Sequence, residues 1–211
     1  MKKHTRNYVN FLILALIVFG LIFVIFNSKA LETPQSPFEK YYAGDVRHFR
    51  ANLQEAQDVS VYPSEDAIRS ILLNPDVYKV YIAYFPNETE NAYYAASSFE
   101  IGNKLGIIYK NIFQGNCTVT TEEEKDGSTC LLFCYTGRKC FNSLPINSTD
   151  ELAPTDVEPV ILLLGSSHAN RTAVTIDNYL ITVEGNTFSK QDKSYSDLDV
   201  AVAKLILTLM I

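Results

Sequence analysis

Sixteen consecutive residues, 11–26 (FLILALIVFGLIFVIF), carry no polar side chain, and Tyr8, Val9 and Asn10 lengthen the run toward the roughly 20 residues that span a bilayer. Lys2, Lys3 and Arg6 precede it, with His4 among them, and cations of this kind stay on the cytoplasmic side. The pattern predicts a cytoplasmic N-terminus over residues 1–7, a transmembrane signal-anchor over 8–26 and an extracytoplasmic remainder. A cleaved signal peptide is the competing reading, since Ser28 and Ala30 offer small side chains. The apolar core exceeds the roughly 7–15 residues usual for a signal peptide, which favours the anchor. Residues 27–37 contain LETPQSP, whose two prolines cannot continue a helix, and predict a short stalk.

Beyond the stalk the periodicity changes from run to run. Tyr42, Val46, Phe49 and Leu53 recur at helical spacing and predict an amphipathic helix over residues 38–57. A shorter helix follows in YPSEDAIRSILLN, with Ser64 as N-cap and Asn74-Pro75 as its stop. VYKVYIAYF (77–85) is apolar on both faces, as an interior strand covered on each side should be. NETENAYYAASSFEIGNKLG predicts a helix with Tyr93, Ala96 and residues 99–101 facing inward. IIYKNIF (107–113) then reads as a strand parallel to the first through a βαβ crossover.

Polar residues from 143 to 159 predict a loop, and VILLLG (160–165) another buried strand. TAVTIDNYLITVEG alternates on either side of Asp177-Asn178 and predicts a hairpin. In SYSDLDVAVAKLILTLMI, Ser194 and Asp197 resemble a capping box, and the run that follows, broken by Asp199 and Lys204, predicts a core-packed helix. The fold class expected for residues 38–211 is therefore α/β, a mixed sheet covered by helices, with a disulfide-bearing β-hairpin insert at 117–140.

Charge narrows the partners. All 24 Asp and Glu follow the apolar run, against 15 of the 18 Lys and Arg, so the remainder carries a net −9. That sign repels phosphate backbones and argues against nucleic acid. The expected partners are membrane lipid, through the N-terminal helix, and an envelope protein or glycan.

Cys117, Cys130, Cys134 and Cys140 all lie beyond the membrane segment, where an oxidising compartment would pair them. Their gaps lack the close pairs of a zinc site, so no metal is expected. CLLFCY reads as a strand, which would hold Cys130 and Cys134 about 13 Å apart, beyond disulfide reach. Of the two connectivities left, Cys117 with Cys130 and Cys134 with Cys140 is preferred because each closes a hairpin. Four Asn-x-Ser/Thr sequons, at Asn87, Asn116, Asn147 and Asn170, fall in expected loops and are candidate glycosylation sites.

LLLGSSHANRT (162–172) is the one stretch with catalytic residue types. Neighbouring side chains of an extended segment point to opposite faces, so Ser167 and His168 do not pair readily with each other. A nucleophile elbow would read GxSxG, and no second glycine follows Gly165. Nor do phosphate-binding glycines surround it, so no cofactor is expected. The acidic TEEEKD (121–126) lacks the alternating oxygen ligands of a calcium loop and reads as a solvated hairpin tip. The tyrosines of TENAYY and DVYKVYIAYF could stack on sugars, but their spacing is that of residues facing a core. The expectation is a membrane-anchored extracytoplasmic structural or binding protein of the cell envelope, without catalysis. The alternative class is an exported hydrolase using His168 with a serine or a metal.

The stretches VYKVYIAYFPNETENAYYAASSFE and PVILLLGSSHANRTAVTIDNYLITVEGNTF, with the closing YSDLDVAVAKLILTLM, resemble a group of small signal-anchored archaeal envelope proteins, including modules beside or within S-layer-like proteins. The resemblance covers about half the chain and implies architecture and location. It brings no site residues, and the 117–140 insert departs from it.

Overall fold

In the computed structural model the described residues are 36–113, 120–123, 129–134, 138–187 and 194–211, with backbone alone for 120–123, 129–134 and 138–140. The apolar run 11–26, Asn116 and Cys117 lie outside them. Among the described residues no helix is long and apolar enough to cross a membrane. The remainder, Pro37–Ile211, forms one compact unit.

Strands β1 (Glu39–Tyr42) and β2 (Asp45–His48) make a separate hairpin where a helix over 38–57 was expected. The joint is Ala43-Gly44, both left-handed at φ 53° and 81°, which suits a two-residue hairpin turn and interrupts any helix. Only the end of the span is helical. This is α1 (Leu53–Gln57), whose cap Asn52 accepts from the Gln54 N–H at 2.9 Å. His48 therefore lies on a strand.

Then come β3 (Ser60–Tyr62) and α2 (Glu65–Leu72). The Ser64 hydroxyl caps α2 at the Ala67 N–H, 3.3 Å away, as the sequence predicts. The interior strand β4 (Lys79–Tyr84) is also where expected. It is followed by α3 (Asn91–Phe113), one continuous helix that absorbs the strand expected over 107–113. Ile101, Leu105, Ile108 and Tyr109 are buried at helical spacing straight through that span, so packing on the core outweighs the β-branched pair Ile107-Ile108. The inward face is also rotated by about one residue. Tyr94, Ser97 and Ile101 are buried, whereas Phe99 is 66% exposed.

The remaining strands are β5 (Thr120–Glu123), β6 (Thr129–Cys134), β7 (Arg138–Pro145), β8 (Val160–Leu164), β9 (Ala173–Asp177) and β10 (Leu180–Glu184), and the chain closes with α4 (Asp197–Leu209). β7 runs to Pro145, so the polar loop begins three residues later than expected. Asp177 pairs with Leu180, which places the β9–β10 turn at Asn178-Tyr179, with Asn178 at φ 53°. The cap of α4 is likewise two residues on. Ser196 and Asp199 form the capping box, because Asp197 is committed elsewhere, accepting from the Thr187 hydroxyl.

The fold is mixed α/β. Eight strands form one sheet in the order β3-β9-β10-β8-β4-β7-β6-β5, with β10, β8, β4 and β7 parallel to one another. Alternation sorts the side chains. Val80, Ile82, Ile161, Leu163, Ile181 and Val183 meet the four described helices in one core. Ala83, Val160 and Leu162 point the other way, into a smaller cluster with Ile146 and Leu152. The described helices thus cover one face only and the chain after β7 packs on the other, so β4 is covered on each side as expected, by helices on one face and by non-helical chain on the other. Gly185 lets α4 approach the sheet. A Cβ there would stand 2.2 Å from the Leu198 backbone nitrogen, closer than any real contact.

The Cys117 pairing lies outside the described residues. For Cys130, Cys134 and Cys140 the backbone register places Glu122 opposite Cys130, Arg138 opposite Cys134 and Leu132 opposite Cys140.

Candidate functional site

After β4 the chain moves through α3 and the β5–β6 pair to β7 on one side. After β8 it moves through β9 to β10 on the other. β4 and β8 are parallel neighbours, so this is a point where the connections diverge, the place outside the C-terminal strand ends where open sheets of this kind form a crevice. Two segments border it, residues 85–90 after β4 and 165–172 after β8.

Their centre is Glu90, 3% exposed at the threshold of α3. Its Oε1 accepts from the Ser167 hydroxyl at 2.5 Å, the Ser166 hydroxyl at 3.1 Å and the Ser167 N–H at 3.2 Å. Its Oε2 accepts from the Tyr94 hydroxyl at 2.9 Å, and that hydroxyl in turn accepts from the Gly165 N–H at 3.0 Å. Burial raises the Tyr94 phenol, which keeps it a neutral donor to the carboxylate. Asn87 completes the set. Its Nδ2 donates to the Ser167 hydroxyl at 3.2 Å, and its Oδ1 accepts from the backbone N–H and the hydroxyl of Thr89.

The serines therefore direct their protons at a carboxylate rather than a histidine. His168 is exposed and stacks on Phe85, ring centroids 4.6 Å apart and 18° from parallel. Among the described residues it makes no side-chain hydrogen bond to Ser166 or Ser167. His48, the other histidine beyond the stalk, faces Glu39 across the β1–β2 hairpin, Nδ1 to Oε1 3.1 Å. Among the described residues nothing brings these two histidines together with a carboxylate.

A second polar group lies where β2, α3 and α4 meet. Glu100 and Asp199 are 6% and 0% exposed. Glu100 accepts from the Arg50 N–H at 3.3 Å, and the Arg50 guanidinium reaches Asp199 at 3.5 Å. Among the described residues Glu100 Oε2 receives no hydrogen bond, and Asp199 Oδ1 has only the 3.5 Å ion pair with Arg50 Nε. Burial pushes the Glu100 carboxyl up to about 7, with the Asp199 charge adding to the rise and Arg50 and Lys104 opposing it. Burial also lowers Lys104, whose ammonium donates to the His48 carbonyl and lies 4.8 Å from the Phe49 ring centroid. An open cleft of about 360 Å³ runs beside this group between Phe49 and Phe99.

Among the described residues no three His, Cys, Asp or Glu side chains gather as metal ligands. Of the tyrosines in TENAYY and DVYKVYIAYF, Tyr94 is fully buried and stacks on the partly buried Tyr84 at 5.3 Å, Lys79 lies over the ring of the partly buried Tyr81, and Tyr78 is 47% exposed with its hydroxyl donating to Glu158. Of TEEEKD, residues 121–123 belong to β5 and 124–126 lie outside the described residues. Sequence reasoning missed Glu90, Tyr94, Glu100 and Asp199 as a polar interior. Asp199 left a trace, an acid inside an apolar run; Glu90, in NETEN, reads as a solvated loop residue. Compared with known proteins, the chain matches no family model, no curated protein and no solved structure.

Proposed function

We propose that the chain is an extracytoplasmic domain of the cell envelope, tethered to the membrane by the apolar run at 11–26 and acting through surface contacts rather than catalysis. Residues 8–26 anchor it, and the cysteines of the 117–140 insert pair as disulfides in the outer compartment. Its partners are membrane lipid at the anchor and an envelope protein or glycan at the domain surface, in keeping with the envelope resemblance. The observation that carries the non-catalytic reading is the use made of the crevice residues. Both serine hydroxyls donate to the same Glu90 oxygen and neither to a histidine, so the carboxylate is shared among several donors and the network ties the loop after β4 to the loop after β8, a structural use of these residues.

Protease added outside intact cells is expected to digest the domain while a short N-terminal fragment survives in the membrane fraction. A domain protected until the cells are lysed would end this reading. A fluorophosphonate probe, which labels activated serines, is expected to leave the protein unmodified. Labelling that disappears in both Ser167→Ala and His168→Ala would instead establish a hydrolase.

A further inference from the structure

The three sequons among the described residues converge on one edge of the sheet. Asn87 lies three residues beyond β4, Asn147 two beyond β7 and Asn170 six beyond β8. β8, β4 and β7 are consecutive in the sheet and parallel, so all three asparagines follow C-terminal strand ends on the same side of the molecule. With neighbouring strands about 4.8 Å apart, the three ends span only about 10 Å of sheet width.

We propose that this edge is N-glycosylated, with Asn87, Asn147 and Asn170 as acceptors, which covers the β4–β8 crevice with carbohydrate and leaves the remaining surface for protein contacts. The inference rests on the extracytoplasmic reading above.

The local geometry suits the acceptors. Asn147 and Asn170 are exposed, and among the described residues their side-chain amides make no hydrogen bond. Asn147 heads the turn 149–151, where the backbone N–H of Asn147 is held by Glu151 at 3.2 Å, so its side chain projects from an ordered base. Asn87 is half-buried, and its Oδ1 already accepts from the hydroxyl of its own sequon threonine at 2.9 Å. That contact leaves Nδ2 as the end of the amide turned toward the crevice.

The donor is a lipid-linked sugar phosphate presented at the membrane where the anchor holds the chain. The asparagine Nδ2 forms a bond to the sugar C1 while the bond from C1 to the phosphate oxygen breaks. The phosphate leaves with that electron pair, and one Nδ2 proton passes to a base of the transferase. The second Nδ2 hydrogen remains, and at Asn87 it keeps the hydrogen bond to Ser167.

The consequence for contacts is steric. Asn87 donates to Ser167, and Asn170 follows two residues after His168, so sugars on both asparagines would crowd Ser166, Ser167 and His168 against the approach of a macromolecule. The helix-side cleft at Phe99 stays open, since no described sequon lies on α3.

The test uses the full chain expressed in a cell that exports it and glycosylates Asn-x-Ser/Thr, purified from membranes and measured by intact mass and peptide mapping. Glycan is expected at Asn147 and Asn170 at high occupancy and at Asn87 at lower occupancy, because its amide is engaged. Thr149→Ala, Thr172→Ala and Thr89→Ala should each remove one step in gel mobility, while Thr→Ser at the same positions should retain it. Since alanine also removes the Thr89 hydroxyl's hydrogen bond to Asn87, Asn87→Gln serves as a second variant there. Glycan on at least two of the three supports the proposal. A chain digested by external protease yet bare at these sites, or glycosylated at Asn116 alone, overturns it while leaving the extracytoplasmic reading intact. Protection from external protease would instead remove the premise of both.

Discussion

Glu100→Gln is expected to stabilise the protein at pH 8 by about 3 kcal/mol, and by less than about 1 kcal/mol at pH 5. The carboxyl has an ordinary value of 4.5 and stands near 7 in the folded protein, chiefly because burial disfavours its charge. Between those values the folded state holds a proton that the unfolded state has released. Stability contributed by the neutral acid is complete below the unfolded value and is lost as pH rises toward the folded one. Above 7 the folded protein contains a buried charge whose Oε2 receives no hydrogen bond among the described residues. Glutamine keeps the shape and an acceptor for the Arg50 N–H but cannot ionise, so its advantage should grow with pH.

Urea unfolding of both proteins across pH 5–8 checks this. A variant destabilised equally at every pH would mean that the anionic carboxylate, held by Arg50, stabilises the fold. Titration of Glu100 also faces Asp199 on α4, Arg50 and His48 near β2, and Lys104 one turn along α3. The difference between variant and wild type isolates Glu100 from these neighbours.

The parts of the fold that were legible are those in which local pattern and tertiary need agree. β4 and β8 are short apolar runs that need cover on both faces, the β9–β10 hairpin alternates around its turn, and α2 carries its own cap and stop. The errors arose where one pattern served two structures. Tyr42, Val46 and Phe49 fit a helical stripe, yet Ala43-Gly44 reverses the chain there, and the dipeptide lacks the asparagine or aspartate that usually marks such a turn. In α3, Ile107 and Ile108 look strand-like in isolation. Only the buried row from Tyr94 to Tyr109, meeting α4, decides for a helix. The polar interior was the least legible. Glu100 sits between Phe99, 66% exposed, and Ile101, fully buried, so a rotation of about one residue determines which of them enters the core. Nothing local to the sequence sets that rotation.

Glu90→Ala is expected to cost about 4 kcal/mol, the larger of the two effects, because one buried carboxylate satisfies four donors, three from the adjacent residues Ser166 and Ser167 of the loop after β8 and one from Tyr94 on α3. The two serines can turn to water after the change. The Tyr94 hydroxyl cannot, since Tyr94 is fully buried, and it would lose its acceptor while still receiving the Gly165 N–H. Tyr94→Phe should cost less, about 2 kcal/mol, by orphaning that backbone donor. Because both substitutions break one chain of hydrogen bonds, the double variant should be milder than the sum, with a coupling of about 1 kcal/mol or more. Strict additivity would show that the two side chains act independently. Hydrogen exchange supplies the local readout: in Glu90→Ala the amides of Gly165 and Ser167 should lose protection ahead of those in β8, because the carboxylate, rather than the strand, holds that loop in place.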